Sequence, residues 1–295
     1  MAQQRDQPTY EVDGIRITAL AATPAEPTGR PLIAALHGGT YTARYFDVPG
    51  GPEGSFLDTA TAHGHPVVAF DRPGYGGSTP LAPADNTFAR HAELLAGALA
   101  QAVERTGAGQ LLLVGHSIGG MLALMIAADA TTTGLPLIGV SATGMGAVIP
   151  PGGAAEALGS LPPDETVDLP YEKRDEVMFG PAHTYTAEAI EAVRAAYAPV
   201  PVRELAQAPV WPREVLPGLA PRVRVPVHNA LAEFDALWDS SEENVARFAG
   251  MFTAAPFVEA GVARGTGHCI DHHRLGHALH LRQLAFAAEC AERAR

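Results

Sequence analysis

The chain has 295 residues, 47% of them hydrophobic and 18% charged, so it can bury a core without disulfides or a structural metal. Its 32 acidic against 20 basic residues give a formal charge of −12, which disfavours contact with a nucleic-acid backbone or an anionic membrane. Two cysteines are too few for a disulfide framework, no apolar run reaches the length of a membrane helix, and the first residues lack a secretory signal, so we expect a cytoplasmic globular protein.

Short apolar runs that end in glycine-containing turns predict the strands of a sheet. A loosely alternating stretch at residues 10–20 predicts one early strand, and four continuous runs predict strands that are buried on both faces. These runs are residues 32–36, 66–70, 111–114 and 137–140. Helical spacing at residues 88–103 and 121–130 places helices between them. The alternation predicts the α/β class, with a mostly parallel central sheet flanked by helices.

The composition and periodicity of the sequence change between residues 145 and 222, which are proline-rich, loosely periodic and without a strong strand signal. We interpret this segment as a helical insertion after the fourth parallel-strand run. The sheet pattern then resumes with strands near residues 223–230 and 257–262 and helices near 242–252 and 271–289. The predicted division is therefore a core domain of residues 1–144 and 223–295 and an inserted segment of residues 145–222.

The strongest chemical signal is Gly115-His116-Ser117-Ile118-Gly119, directly after an apolar strand and directly before a helix. This is the Gly-x-Ser-x-Gly pattern of a strained strand-to-helix turn, which exposes the serine hydroxyl. The backbone N–H of Ile118 lies at a helix N-terminus and can donate to an oxyanion. We predict Ser117 as a nucleophile and Ile118 as an oxyanion donor.

A serine nucleophile needs a base to accept its proton and a carboxylate to hold that base. His268 is the predicted base, because it alone stands in a Gly-x-Gly-His turn between the last strand and the last helix. Two carboxylates follow the preceding strand. Asp235 is preferred because it stands in a Gly-x-x-Asp register, with Ala232 in place of the glycine, and Glu233 is the alternative.

The turn His37-Gly38-Gly39-Thr40 ends an earlier strand and precedes the serine turn in the chain. A glycine-rich turn allows backbone N–H groups to point into a cleft, so Gly39 is the predicted second oxyanion donor and Thr40 the alternative. A plain strand-ending turn is the other interpretation of this string.

These motifs and their order resemble those of the α/β-hydrolase fold superfamily, over about residues 10–145 and 223–293. The resemblance implies that residues 145–222 form a helical cap or lid over the substrate pocket. It also implies an acyl-enzyme mechanism. Our leading hypothesis is a hydrolase without cofactor or metal that acts on a carboxylic ester or thioester of a small-to-medium apolar acyl group. The same fold and triad can serve a lyase, acyltransferase, cyclase or cofactor-free oxidative reaction, or a binding protein with a vestigial site, so these remain alternatives.

Two further groups of residues admit more than one interpretation. The favoured candidates for a substrate pocket are His116, Met145, Phe179 and Trp238. Other apolar residues could also contribute or could belong to the core, namely Met121, Met125, Met178, Trp211 and Phe234. His273, His277 and His280 share helical spacing and could bind a metal, but the lack of a His-Glu-x-x-His pattern favours a polar helix face.

Overall fold

The computed structural model describes residues 5–26, 28–49, 54–152 and 164–295. Its strands carry the labels β1 to β10 in chain order. They are β1 (Thr9–Val12), β2 (Ile15–Ala22), β3 (Leu32–Leu36), β4 (Val67–Phe70), β5 (Leu111–His116), β6 (Leu137–Thr143), β7 (Thr166–Val167), β8 (Val200–Pro201), β9 (Val227–Phe234) and β10 (Val258–Gly267).

Eight of these strands form one central sheet in the order β1-β2-β4-β3-β5-β6-β9-β10. The pairs from β4 to β10 are all parallel, whereas β1 pairs with β2 and β2 with β4 in the antiparallel sense. Every residue of β3, β4 and β5 is buried, as the continuous apolar runs predict for strands covered on both faces. The predicted mostly parallel α/β sheet is confirmed.

The early strand predicted at residues 10–20 is wrong in one respect, because the chain folds there as a hairpin of β1 and β2. Asp13 and Gly14 connect the two strands, with φ angles of 51° and 74°. Asp-Gly is a preferred pair for a two-residue hairpin turn, because both central residues need positive φ.

Helices cover both faces of the sheet. In chain order they are α1 (Phe56–Ala62), α2 (Phe88–Thr106), α3 (Ile118–Ala128), α4 (Ala130–Thr133), α5 (Tyr171–Met178), α6 (Ala187–Arg194), α7 (Val202–Gln207), α8 (Trp211–Glu214), α9 (Leu216–Leu219), α10 (Glu242–Gly250) and α11 (Gly276–Arg293). Along the described ranges, none of them is both long and apolar enough to cross a membrane.

The side chains of β5 show how the two faces are filled. Leu111 and Leu113 join the core cluster that contains α2 and α3, whereas Leu112 and Val114 join the cluster that contains α1 and α11. Successive side chains of a strand point to opposite faces, so one strand contributes to both cores. Each leucine buried in this way stabilises the fold by about 1.5–3 kcal/mol.

The connection between β6 and β9 contains the short helices α5 to α9 and a two-stranded antiparallel sheet of β7 and β8. The sequence predicted helices here but not this small sheet, whose strands have only two residues each. Residues 153–163 of the predicted insertion lie outside the described residues, as do residues 1–4, 27 and 50–53 of the predicted core. The interpretation of the connection as a cap stays a prediction.

Candidate active site

Ser117 stands at the turn between β5 and α3 with φ 54° and ψ −121°, a backbone conformation that is rare for a residue with a side chain. The turn is possible because its flanking glycines lack a Cβ. A Cβ built on Gly115 would lie 2.3 Å from the Gly119 carbonyl oxygen, and one built on Gly119 would lie 2.0 Å from the Leu36 carbonyl oxygen. The Ser117 N–H donates to the Thr143 carbonyl at 2.7 Å, which fixes the turn against β6. The local conformation has the strain that the Gly-x-Ser-x-Gly pattern predicts.

The loops after β9 and β10 bring Asp235 and His268 together. His268 Nδ1 lies 3.0 Å from Asp235 Oδ2 and 3.1 Å from Oδ1, and both side chains are buried. Asp235 Oδ1 also accepts the N–H groups of Leu237 and Trp238. A carboxylate can only accept hydrogen bonds, so Nδ1 carries the proton and Nε2 is left as the basic nitrogen of the ring.

Glu233 lies away from this pair. Its side chain is exposed and its Oε2 accepts the Gly265 N–H at 2.7 Å, which ties the end of β9 to β10. Of the two candidate acids, the structure therefore places Asp235 beside His268.

His268 lies close to the serine turn. Its ring centroid is 5.0 Å from that of His116, the residue directly before Ser117. His268 Nε2 is buried and has no hydrogen-bond partner among the described residues. A buried basic nitrogen that accepts no hydrogen bond and lies beside a serine turn is suited to accept a proton during a reaction. The hydrogen bond between a serine hydroxyl and such a nitrogen often tightens only when substrate binds.

A cavity of about 580 Å³ opens beside Ser117. Gly39, Thr40 and Ile118 lie in its wall together with Ser117. Most of the remaining wall is apolar and includes Met121, Ile149, Val177, Leu205, Leu237 and Trp238. This size and the predominantly apolar lining suit a small organic ligand held mainly by apolar contact, and three charged residues of α5 also lie in the wall.

The predicted oxyanion donors meet in this wall. Gly39 and Ile118 are close neighbours, since a Cβ built on Gly39 would lie 3.1 Å from Ile118 Cδ1. Ile118 is the first residue of α3, so its N–H has no partner within the helix. Thr40, the alternative to Gly39, has φ 64°, which is strained for a β-branched residue, and its buried Oγ1 has no hydrogen-bond partner among the described residues.

Three of the four favoured pocket candidates lie elsewhere. His116 is buried against the ring of Tyr45 instead of lining the cavity, and Phe179 packs against Tyr185 and His273. Met145 is fully buried and would contact a Cβ on Gly120, so it fills the core behind α3. Trp238 does line the cavity.

The larger apolar set divides in the same way. Met121 and Met178 line the cavity, whereas Met125, Trp211 and Phe234 do not. Sequence reasoning identified Met178 of α5 but missed Val177 of the same helix and Leu205 of α7, because these helices have no feature that marks one apolar residue as facing a cavity. Only the packing of the connection on the core decides it.

The polar helix face predicted for His273, His277 and His280 is wrong, because α11 begins only at Gly276 and both His273 and His280 are buried. His280 Nε2 instead lies 3.1 Å from Asp271 Oδ1. Burial alone would raise the pKa of Asp271, but the hydrogen bond from His280 and the nearby histidine rings hold it well below its ordinary value. Within the described part of the chain, no three His, Cys, Asp or Glu side chains are arranged to hold a metal ion.

The sequence profile of a family described as the alpha/beta hydrolase family matches residues 33–289. No curated protein matches the sequence significantly. Solved structures share the fold at low identity.

A membrane phospholipase A, described as a bacterial virulence factor, has 18% identity and a TM-score of 0.70 over 97% of this chain and 87% of that one. A thermophilic esterase from Thermogutta terrifontis has 19% identity and a TM-score of 0.66 over 98% and 99%. A thioesterase domain from the curacin biosynthetic pathway has 16% identity and a TM-score of 0.60 over 96% and 100%.

Proposed function

Because the chain belongs to the alpha/beta hydrolase family, we propose that it is a serine hydrolase that cleaves a carboxylic ester or thioester of a small-to-medium apolar acyl group. The observation that carries the proposal is the buried pair of His268 and Asp235 beside the strained turn of Ser117. The esterase and thioesterase among the structural neighbours are consistent with it.

In this proposal the Ser117 hydroxyl attacks the carbonyl carbon while His268 Nε2 takes its proton. Asp235 holds the ring with Nδ1 protonated and stabilises the imidazolium that forms. The N–H groups of Gly39 and Ile118 donate to the oxyanion of the tetrahedral intermediate. His268 then protonates the departing alcohol or thiol, and an acyl group stays on Ser117.

Deacylation repeats these steps with water as the nucleophile. His268 Nε2 takes a proton from the water molecule as it attacks the acyl carbon, and the carboxylic acid leaves when Ser117 regains its proton. The predominantly apolar cavity beside Ser117 supports an alkyl or aryl acyl group as the substrate, because such a wall offers burial without many hydrogen-bond partners.

The experiment is intact-mass analysis after treatment with a fluorophosphonate, together with rates on p-nitrophenyl esters and acyl thioesters of two to twelve carbons. We expect one adduct on the native protein, none on Ser117→Ala, and normal labelling of Ser240→Ala as a matched serine control. The expected rate profile peaks at a short or medium acyl chain.

Two outcomes contradict the proposal. A folded native protein without an adduct contradicts an activated Ser117. An adduct on Ser117 without hydrolysis of any ester or thioester, but with acyl transfer to an added alcohol or amine, replaces hydrolysis by acyl transfer.

A further inference from the structure

A fully buried arginine holds the loop that carries the proposed oxyanion donor. This donor loop consists of residues His37 to Thr40. Arg72 Nε donates to the His37 carbonyl and Nη2 to the Gly38 carbonyl, both at 3.1 Å. The Arg72 backbone N–H also donates to His37 Nε2 at 3.1 Å. Three donors of one residue therefore bind the loop from the side of β4.

These contacts fix the direction of the N–H groups in the loop. In a planar trans peptide, the carbonyl of one residue and the N–H of the next point in opposite directions. Because the Gly38 carbonyl points to Arg72, the Gly39 N–H points away from Arg72. The Gly38 carbonyl is held a second time by His37 Nδ1 at 2.8 Å, so this peptide plane has little freedom to turn.

The negative charge that balances Arg72 comes from the connection between β6 and β9. Glu204 of α7 lies 2.7 Å from Arg72 Nη1, and the side chains of both residues are completely buried. The Tyr75 hydroxyl also donates to Glu204 Oε2, at 3.1 Å. Burial lowers the pKa of Arg72, but Glu204 beside it raises the pKa above its ordinary value, so the guanidinium keeps all its donors.

The same part of the connection borders the cavity and touches the donor loop directly. Leu205, the residue after Glu204, lines the cavity beside Ser117. The Ala198 N–H donates to the Thr40 carbonyl at 2.9 Å. The connection is therefore joined to the donor loop at two points, one direct and one through the Arg72–Glu204 ion pair.

We infer that Arg72 is a positioning residue for the oxyanion donors, and that Glu204 couples this positioning to the segment that forms the cavity wall. The inference rests on the proposed function, because it assigns the Gly39 N–H a role in that reaction. Arg72 acts through the peptide planes of the donor loop and does not itself contact the substrate.

The test uses the double variant Arg72→Met/Glu204→Gln in the full chain. Arg72→Met alone leaves the Glu204 carboxylate buried without its counter-charge and can prevent folding, whereas the double variant leaves no unpaired charge. The matched control is Arg194→Met, which removes an ion pair with Asp175 within the same connection. Thermal unfolding of each variant shows that it is folded.

We expect kcat of the double variant to fall about 10- to 100-fold on the best ester of the panel, with KM changed less than about threefold. The affinity for a trifluoromethyl ketone with the same acyl chain falls by the same factor as kcat/KM, because its tetrahedral adduct also places an oxyanion against the donors. Amide hydrogen exchange in residues 37–42 becomes faster. Arg194→Met keeps native kinetics and exchange in that segment.

An unchanged kcat, a loss confined to KM, or native exchange rates in residues 37–42 would each overturn the inference. Failure of the proposed function is recognised separately, since the native protein then forms no fluorophosphonate adduct at Ser117, and the inference falls with it. If the native protein forms the adduct and the double variant keeps the native kcat, only the positioning role of Arg72 is overturned and the proposed function stands.

Discussion

The ring of His116 lies flat against the ring of Tyr45, with centroids 4.6 Å apart and planes 9° apart. The Tyr45 hydroxyl in turn donates to Asp271 Oδ2 at 2.7 Å, although 226 residues separate the two in sequence. Tyr45 thus joins the residue before the proposed nucleophile to the loop that follows the proposed base. His116 therefore has a structural role, because its ring packs against Tyr45 and does not line the cavity beside Ser117.

Tyr45→Phe removes the hydroxyl and keeps the stacked ring. Because Asp271 retains His280 but loses one hydrogen bond, we expect the free energy of unfolding to fall by about 1–3 kcal/mol. Ester hydrolysis stays within about threefold of the native rate. Urea unfolding and ester kinetics check both values. A Tyr45→Phe protein with native stability but a large loss of kcat would contradict the assignment of Tyr45 to stability instead of catalysis.

Gly119→Ala tests the steric basis of the serine turn. The new Cβ would lie 2.0 Å from the Leu36 carbonyl oxygen, so β3 and α3 must separate and we expect several kcal/mol of lost stability together with loss of fluorophosphonate labelling. Gly218→Ala is the matched control, since its new Cβ meets no atom within 4 Å among the described residues other than its chain neighbours and its own helix backbone. That variant is expected to be as stable as the native protein or about 0.4–1 kcal/mol more stable. Equal behaviour of the two variants in urea unfolding contradicts the argument.

Asp235→Asn and Glu233→Gln separate the two candidate acids. An amide at position 235 can donate to His268 Nδ1 and thereby favour the tautomer with Nε2 protonated, so we expect kcat to fall about 10²- to 10⁴-fold. An amide at position 233 still accepts the Gly265 N–H, so its effect on kcat stays within about threefold. Ester kinetics at constant pH measure both. The reverse order of effects would assign the acid to Glu233.

Acid lowers the stability of the fold through its buried histidines. Burial lowers the pKa of His272 to about 4 from an ordinary value of 6.5. Between these values the unfolded chain binds a proton that the folded chain does not, so stability is greatest above pH 6.5 and falls as the pH is lowered towards 4. Asp271, whose pKa is held well below its ordinary value, stays ionised in this window.

We therefore expect His272→Leu to flatten the dependence of unfolding free energy on pH. Between pH 5 and 6 the slope should decrease by about 1.1 kcal/mol per pH unit, because one histidine no longer contributes to it. Urea unfolding at a series of pH values gives the slope. An identical slope in the variant would place the acid sensitivity in other groups.

The serine turn could be predicted because its requirements are local. A buried strand, two glycines and a helix within a few residues determine the backbone around Ser117, and each of these features could be recognised in the sequence. The placement of Asp235 beside His268 followed from the order of strands, since the two residues directly follow the carboxyl ends of the adjacent parallel strands β9 and β10. The hairpin at Asp13-Gly14 was missed although its turn signal is equally local.

Other parts of the site depend on contacts between distant segments. His273 and His280 have the spacing of a helix face, but Gly276 packs so closely on Asp271 that a Cβ there would lie 2.1 Å from the Asp271 carbonyl oxygen. The helix begins only at Gly276, and both His273 and His280 are buried. The Arg72–Glu204 pair joins residues 132 positions apart in sequence, and neither residue has a neighbouring motif that indicates the other.

The position of β9 between β6 and β10 also affects how the protein is made on the ribosome. The strands up to β6 can pair as they emerge. The outer edge of β6 stays unpaired until β9 is synthesised, about eighty residues later. At about 5–20 residues per second, this edge stays open for roughly 4 to 17 s. During translation an unpaired edge can bind another unfinished chain. In that interval Ser117 already exists without Asp235 or His268, so a nascent chain has the proposed nucleophile before the proposed acid and base.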